Sequence, residues 1–369
     1  MRQRLHASLT AGAVALAVAV ALAGCATAPA ASSPEASRPA ASAVPLAELN
    51  IPSDPHALRG PSTAMLADAD VLAPATAPDQ SLPATVTSRD LAGDREVEVR
   101  SSERILGLDI SGSIAATVFG LGFGGSVVGR DISTTFPGAA DLPVVTSGGH
   151  TVNSEAILAL RPTLVITDGS VGPVDVVLQL RDAGVAVVFV DTEPSIDGVG
   201  ELARQVSAAL GAPAAGEALA TDLVAGITAK VDEIAGIVPP GEPLRMMFLY
   251  LRGNSGIYYL FGSESGADEL INALGGIDVA AEIGLAGMRP MTDEAMVAAN
   301  PDLILVMTDG IESVGGVDGL LESKPAIALT TAGENRRFVD MADGEILAFG
   351  PRTAAVLDAL ARAVYAPGQ

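Results

Sequence analysis

The sequence predicts an α/β protein of two similar Rossmann-like lobes, each with a mainly parallel sheet, joined by a long spine helix. Three observations predict it. A segment of about twenty residues recurs about 140 positions downstream, which points to two related lobes rather than a solenoid. Short apolar runs of strand length alternate with helical stretches through residues 95–369, the pattern of parallel sheets covered by helices. Between the two copies, residues 196–238 have helical composition almost without interruption. A chain of 369 residues with 49% hydrophobic content is long enough for two lobes with cores of their own.

Taken in order, Arg2 and Arg4 precede an apolar run from Ala11 to Leu22, the charged and hydrophobic regions of a secretory signal. The run ends in Leu22-Ala-Gly-Cys25, and Cys25 is the single cysteine, so no internal disulfide can form. Leu-Ala-Gly-Cys resembles the bacterial lipobox. That resemblance implies that residues 1–24 are removed and that Cys25 becomes a lipidated N-terminus on the extracytoplasmic face of the cell membrane. Residues 25–94 are rich in Ala, Pro and Ser without a sustained hydrophobic period, and read as a largely disordered tether. His56 then reads as a solvated linker residue.

Residues 95–195 form the first lobe. Ile105-Leu-Gly-Leu is a strand, Asp109-Ile-Ser-Gly-Ser113 a turn, and Ile114 to Gly122 a helix closed by glycine. Val127 to Asp131 reads as the next strand, followed by the glycine-rich loop Thr146-Ser-Gly-Gly-His150. Asn153 or Ser154 can cap the helix beyond it, and Glu155 lies in the first turn. Ala156, Ile157 and Leu160 make its apolar face, Pro162 ends it, and Leu164-Val-Ile is a buried-type strand leading into Thr-Asp-Gly169. A helix over Val174–Ala183 and a strand over Val185–Val190 complete the lobe.

In the connector, Leu202, Val206, Leu210, Leu219, Leu223 and Ile227 keep helical spacing around a break at Gly211-Ala-Pro213. The second lobe, residues 239–369, opens with the strand Met246 to Leu251 and then Arg252-Gly253. Tyr258-Tyr-Leu-Phe pairs back, and a helix spans Ala267–Leu274. The second copy of the repeat, Asp293-Glu294-Ala to Pro301 and on to Thr-Asp-Gly310, matches the first at Glu-Ala, Pro, the apolar strand and Thr-Asp-Gly. Five residues before the shared glutamate the copies part: His150 in one, Arg289 in the other. A helix from Arg352 to Val364 closes the chain.

Composition excludes several functions. A formal charge of −23 argues against nucleic-acid binding. No Gly-x-x-x-x-Gly-Lys loop, serine–histidine–acid spacing or metal-hydrolase motif is present. With His56 assigned to the tether, His150 is the one histidine of the folded part, too few for a zinc or manganese site.

Open parallel sheets bind ligands in the loops at the carboxyl ends of their strands, so the cleft between two such lobes is the expected site. His150 sits on a glycine-rich loop at the mouth of lobe one. Tyr250 ends the first strand of lobe two, and Arg252, two residues on, faces the same side, where it can favour the phenolate form of Tyr250. Tyr258 and Tyr259 are weaker alternatives. Arg289, Met288 and Met291, on the loop related to that of His150 by the repeat, are further cleft contacts. Ser111 and Ser113, at a helix N-terminus, are candidates to take a carboxylate through backbone N–H groups.

Gly-Gly-His150 before the Asn-Ser-Glu-Ala helix, Leu-Tyr250-Leu-Arg252-Gly, the lipobox and the two lobes joined by a helix together resemble the haemin-binding lipoproteins of actinobacterial haem ABC importers. These lie within the iron-complex and cobalamin binding-protein superfamily and have the class III substrate-binding fold. The resemblance covers roughly residues 95–366. It implies His150 and Tyr250 as axial ligands of haem iron with Arg252 supporting the tyrosine, and haem b as the transported ligand. Imidazole and phenolate are both established haem-iron ligands, and the harder phenolate favours ferric iron. It also implies that Glu155 and Glu294, one on each lobe, dock on arginines of a permease. A separate ATPase would drive that permease, and haem would arrive either free or from another haem-binding surface protein. By themselves, the two glutamates need only stabilise the dipoles of their helices.

Two other functions compete. The same fold can carry a ferric siderophore or cobalamin, although an aromatic content of 3% with no tryptophan is poor in the groups that siderophore sites use. A peroxidase-like haem enzyme needs an open coordination position and a distal acid–base residue, and no second histidine is available to supply one. The expected protein is a binding protein, not an enzyme.

Overall fold

The computed structural model describes residues 44–253 and 258–369. The signal segment and Cys25 lie outside them, and among the described residues no helix is long and apolar enough to cross a membrane.

The largest departure from the sequence reading is at the start. Residues 44–94, expected to be a tether, form an ordered strap laid across both lobes. Leu46, in a short 3-10 turn, is fully buried in the core of lobe two with Ile227 and Ile234. β1 (Ser62–Thr63) adds a parallel edge strand to that lobe, in register with Val339 and Asp340. The strap then crosses to lobe one, where the Asp70 carboxylate accepts from the Gly138 N–H and Val71 packs with Phe136 and Ala116. β2 (Ala84–Ser88) and β3 (Arg95–Val99) pair as an antiparallel hairpin, tied down by Arg181, which is ion-paired to Asp90 at 2.5 Å. Composition misled here because the strap contributes single apolar anchors and backbone hydrogen bonds rather than a periodic apolar face. His56 is correspondingly not a solvated linker residue. Its Nε2 lies 3.1 Å from the Glu242 carbonyl and its Nδ1 3.5 Å from the Asp302 carboxylate, so the folded part holds His56 as well as His150.

Lobe one is built on a parallel sheet of β4 (Ile105–Leu108), the later β7 (Leu164–Thr167) and β8 (Ala186–Phe189), with β7 central. Nearly all residues of these strands are buried, as expected for a sheet covered on both faces. α1 (Ser113–Gly120) follows β4 so closely that a β-carbon on Gly107 would meet the α1 backbone at 2.8 Å. The strand expected over Val127–Asp131 is reduced to two isolated bridges, Ile105 to Val127 and Arg130 to Val144. Next come β5 (Thr146–Ser147) and β6 (Thr151–Val152), a hairpin outside the main sheet whose β6 also bridges Gly172, then α2 (Ser154–Ala159) and, between β7 and β8, α3 (Val174–Asp182).

The connector is a helical hairpin rather than one helix. α4 (Ile196–Ala209) packs on lobe one, turns at Gly211, and returns as α5 (Pro213–Ile237). A β-carbon on Gly216 would meet the Ser207 hydroxyl at 1.7 Å, so the two helices touch backbone to side chain there. The spine proper is α5, whose 25 residues reach roughly 37 Å at 1.5 Å per residue.

Lobe two is larger. β9 (Arg245–Leu251) is followed by β10 (Tyr258–Phe261), α6 (Ala267–Ala273), β11 (Ile277–Asp278), α7 (Val279–Glu282) and β12 (Met288–Pro290). The repeat returns with α8 (Asp293–Ala299) and β13 (Leu303–Met307). Four short helices, α9 (Thr308–Ser313), α10 (Gly316–Ser323), α11 (Pro325–Ala328) and α12 (Thr331–Asn335), lead to β14 (Phe338–Met341), α13 (Asp343–Ile346) and α14 (Thr353–Tyr365). The sheet order is β1-β14-β13-β9-β10-β12, with β11 beside the start of β9; β10 pairs antiparallel with both β9 and β12, and the other pairs are parallel. One core lies between this sheet and α5, α6 and α14, the other under α8 and α9 to α12.

Buried Arg352 pins the three pieces together. It donates to the Gly344 carbonyl at 2.9 Å in lobe two and to the Ala69 carbonyl of the strap at 3.4 Å, and its guanidinium lies 5.6 Å from the Phe136 ring of lobe one.

Candidate ligand-binding site

The two copies of the repeat are locally alike. Asn153 caps α2 by accepting from the Ala156 N–H, and Thr292 caps α8 by accepting from the Ala295 N–H. Ile157 and Met296 are the fully buried residues of their respective helices. Each helix stops on a residue with left-handed backbone before the proline, Arg161 at φ 48° and Asn300 at φ 40°. Glu155 and Glu294 are exposed at equivalent first-turn positions, as are Leu158 and Val297 one turn on.

The segments preceding these helices differ, and His150 lies in one of them. Gly148, Gly149 and His150 form the turn of the β5–β6 hairpin, with positive φ at Gly149 (77°) and His150 (60°). A non-glycine residue held there is unusual, which fits a functional side chain more readily than a packing one. The imidazole is half-buried, and its Nδ1 lies 3.5 Å from Ser133 Oγ. With Nδ1–H donating to Ser133, Nε2 keeps its lone pair for a metal. Ser133 escaped the sequence reading. Its signal is the Asp131-Ile-Ser-Thr134 turn, in which the buried Asp131 carboxylate accepts from the N–H groups of Asp109, Ser133 and Thr134 and from the Thr134 hydroxyl.

Ser111 and Ser113 do not offer an anion site. The N–H groups of Ser113 and Ile114 already donate to the buried Asp109 carboxylate, and so does the Ser111 hydroxyl. The α1 N-terminus therefore carries its own acid. Burial first, then the charges of Asp131 and Asp168, push the Asp109 carboxyl up to about 7, and burial raises Asp131 too. Beside this group, Ile110 and Ile132 stand exposed on the loops flanking the His150 hairpin, an apolar rim of the kind that covers a flat ligand.

In lobe two, register puts Phe248 and Tyr250 of β9 opposite Phe261 and Tyr259 of β10, and Met288 and Pro290 of β12 continue the same rows. These side chains share one face. Phe248 stacks on Phe261 with centroids 5.2 Å apart, and Tyr250 on Phe261 at 5.6 Å. Tyr250 is the half-buried last ring of this row, at the carboxyl end of β9, with half-buried Met307 at the end of neighbouring β13. Arg252 lies exposed one residue beyond the strand, and among the described residues no hydrogen bond joins it to Tyr250.

The other lobe-two candidates separate. Tyr258 points to the opposite face. It is buried, donates to Asp293 Oδ1 at 3.0 Å and carries the Lys324 ammonium over its ring, so it is a packing residue and not a cleft contact. Its hydroxyl is pushed well above the usual range by burial and by Asp293. Alternation puts Arg289, exposed on β12, on that far face, and Met291 packs at the edge of the same core. Met288, 52% exposed, is the member of that loop on the face of Tyr250.

Solved structures share this architecture. The heme-binding protein HmuT is 41% identical, with a TM-score of 0.79 over 85% of this chain and 99% of its own. Its solved forms include alanine variants of one histidine, one tyrosine and one arginine. The periplasmic heme-binding protein RhuT from Roseiflexus sp. RS-1, in apo form, is 40% identical with a TM-score of 0.65, covering 72% of this chain and 98% of RhuT. The uncharacterized ABC transporter substrate-binding lipoprotein YvrC of Bacillus subtilis (strain 168) is 26% identical over 278 residues, 75% of this chain and 84% of YvrC. Residues 110–343, well over half of the chain, match the family model of periplasmic binding proteins, and the chain belongs to that family.

Proposed function

We propose that this protein is the haem-binding component of an ABC importer, held by a lipid on Cys25 at the extracytoplasmic face of the membrane. It takes ferric haem b between its lobes, with His150 of lobe one and Tyr250 of lobe two as axial ligands, and hands it to a permease driven by a separate ATPase.

The observation that carries this reading is the likeness to HmuT together with the spacing of the residues varied in it. The tyrosine and arginine varied in HmuT lie two residues apart, as do Tyr250 and Arg252; its histidine precedes the tyrosine by 99 residues, against 100 between His150 and Tyr250 here. The chemistry agrees. His150 has its Nδ1 beside a hydroxyl and Nε2 left for iron, while Tyr250 ends an aromatic row flanked by Met288 and Met307 that suits a porphyrin face. Arg252 supports the phenolate once iron draws the ring into place. Ligation from both sides fills the iron, which suits a carrier better than an oxidant-activating enzyme. Glu155 and Glu294, exposed and related by the repeat, meet basic residues of the permease, and the acidic surface as a whole favours that encounter.

An absorption titration of the chain from Ala26 onward with ferric haemin tests this. A saturable Soret shift is expected, weakened by more than about 100-fold in Tyr250→Ala and by about 10-fold in His150→Ala, since direct ligands exceed the 10–100-fold typical of outer-shell partners in at least one case. A shift that is absent, or that both variants leave intact, sinks the proposal and makes a ferric siderophore the next cargo to try. Glu155→Ala with Glu294→Ala should abolish uptake and leave the titration unchanged.

A further inference from the structure

Ser133 joins His150 to the opposite lobe. Its hydroxyl is the hydrogen-bonding partner of the His150 Nδ1. Its backbone is squeezed between two glycines, one from each lobe. A β-carbon on Gly112 would lie 2.8 Å from the Ser133 carbonyl oxygen, and a β-carbon on Gly344 of α13 would lie 2.7 Å from the same atom. Behind it, the Asp131 carboxylate fixes the turn by accepting from the Ser133 and Thr134 N–H groups, and the Ile132 N–H donates to Thr146 Oγ1 at the base of the His150 hairpin. The turn is therefore stiff and in contact with α13. On the lobe-two side, Arg352 seats α13 by donating to the Gly344 carbonyl.

We infer that Ser133 is the positioning residue of the His150 imidazole and that the Ser133–Gly344 contact makes the orientation of that ring depend on how lobe two sits against lobe one. The inference rests on the haem reading for its purpose and on the contacts alone for its mechanism. Holding Nδ1–H on Ser133 leaves the Nε2 lone pair for iron. A shift of α13 moves the Ser133 carbonyl, and with it the hydroxyl that orients the ring. Docking on a partner that parts the lobes thereby loosens the histidine ligand in particular, leaving Tyr250, which sits on the β9–β10 sheet, in place.

The test reads His150 directly. The chain has three histidines, one of them within the signal segment, so imidazole nitrogen resonances of the protein from Ala26 onward are assigned with His56→Gln and His150→Gln. In the ligand-free protein, Ser133→Ala should move the His150 nitrogen shifts toward the tautomer mixture of free imidazole, and Ser133→Thr should restore them. Gly344→Ala should move them in the same direction as Ser133→Ala. The added methyl can push the exposed Thr135 side chain aside but meets the Ser133 carbonyl as fixed backbone. Should Gly344→Ala not fold, Arg352→Gln loosens the same contact from the other side. In haem-loaded protein, Ser133→Ala should release haem about 10-fold faster, the lower end of what an outer-shell partner supplies, with the tyrosinate charge-transfer band retained. Wild-type-like His150 shifts in Ser133→Ala overturn the positioning role; shifts altered there but not in Gly344→Ala or Arg352→Gln overturn the coupling between lobes. A wild-type chain that ignores haemin sinks the function proposed above, while these nitrogen shifts still decide the inference.

Discussion

The two lobes repeat one unit and use it differently. In lobe one, the segment before the repeated helix folds into a separate hairpin, β5 and β6, outside the β4-β7-β8 sheet, and so holds His150 on a strained turn. In lobe two the corresponding segment is β12, absorbed into the sheet as the neighbour of β10, and the candidate ligand comes instead from β9, on the other side of β10. The cap, the buried apolar residue and the left-handed stop before proline are shared because each helix needs them to form. The approach segment carries no such requirement and is free to diverge. One lobe therefore offers a loop ligand with a single polar support, and the other a strand ligand set in a row of stacked rings.

That contrast can be broken or sharpened by measurement. The largest expected effect is on the strap, whose first anchor belongs to lobe two. Leu46→Ala should cost about 2–5 kcal/mol in urea unfolding, the range for emptying a fully buried leucine site; a loss near zero would return this segment to the role of a tether. The next belongs to lobe one alone. The Asp109 carboxyl is raised from 3.8 to about 7, so the folded state holds its proton where the unfolded chain has lost it, and stability falls as pH rises between those values. Asp109→Asn should flatten that fall in a pH series of melting temperatures, and an unchanged slope would place the proton elsewhere. The smallest effect compares the lobes directly. Asn153→Ala and Thr292→Ala each remove one cap hydrogen bond and should each cost about 1 kcal/mol; a clear inequality would show that the two copies are not energetically equivalent.

The lobes, the repeat, the break at Gly211 and the location of His150 and Tyr250 were legible in sequence because each rests on local rules: apolar period, capping chemistry, proline stops and glycine turns. What was not legible rests on distant partners. Nothing near Leu46 announces that α5 will cover it, and nothing near Ser133 announces His150. Ser111 and Ser113 read as an open helix end because the acid that fills it, Asp109, looked like an ordinary turn residue. Tyr258 and Tyr250 lie on opposite sheet faces, a distinction set by the register of β10 on β9, which composition does not reveal.

The strap has a consequence for biogenesis. Its partners come late in the chain: Ser62 pairs with Val339, and the Asn50 N–H donates to the Gln369 side chain, 319 residues away. A chain made from its N-terminus presents the strap well before the surfaces that receive it, and closing so long a loop is entropically slow. Until β14 emerges, Ser62 and Thr63 have no strand to pair with. The strap therefore docks only after the strand that receives it has been made, with early residues of the described chain as the last to find their partners.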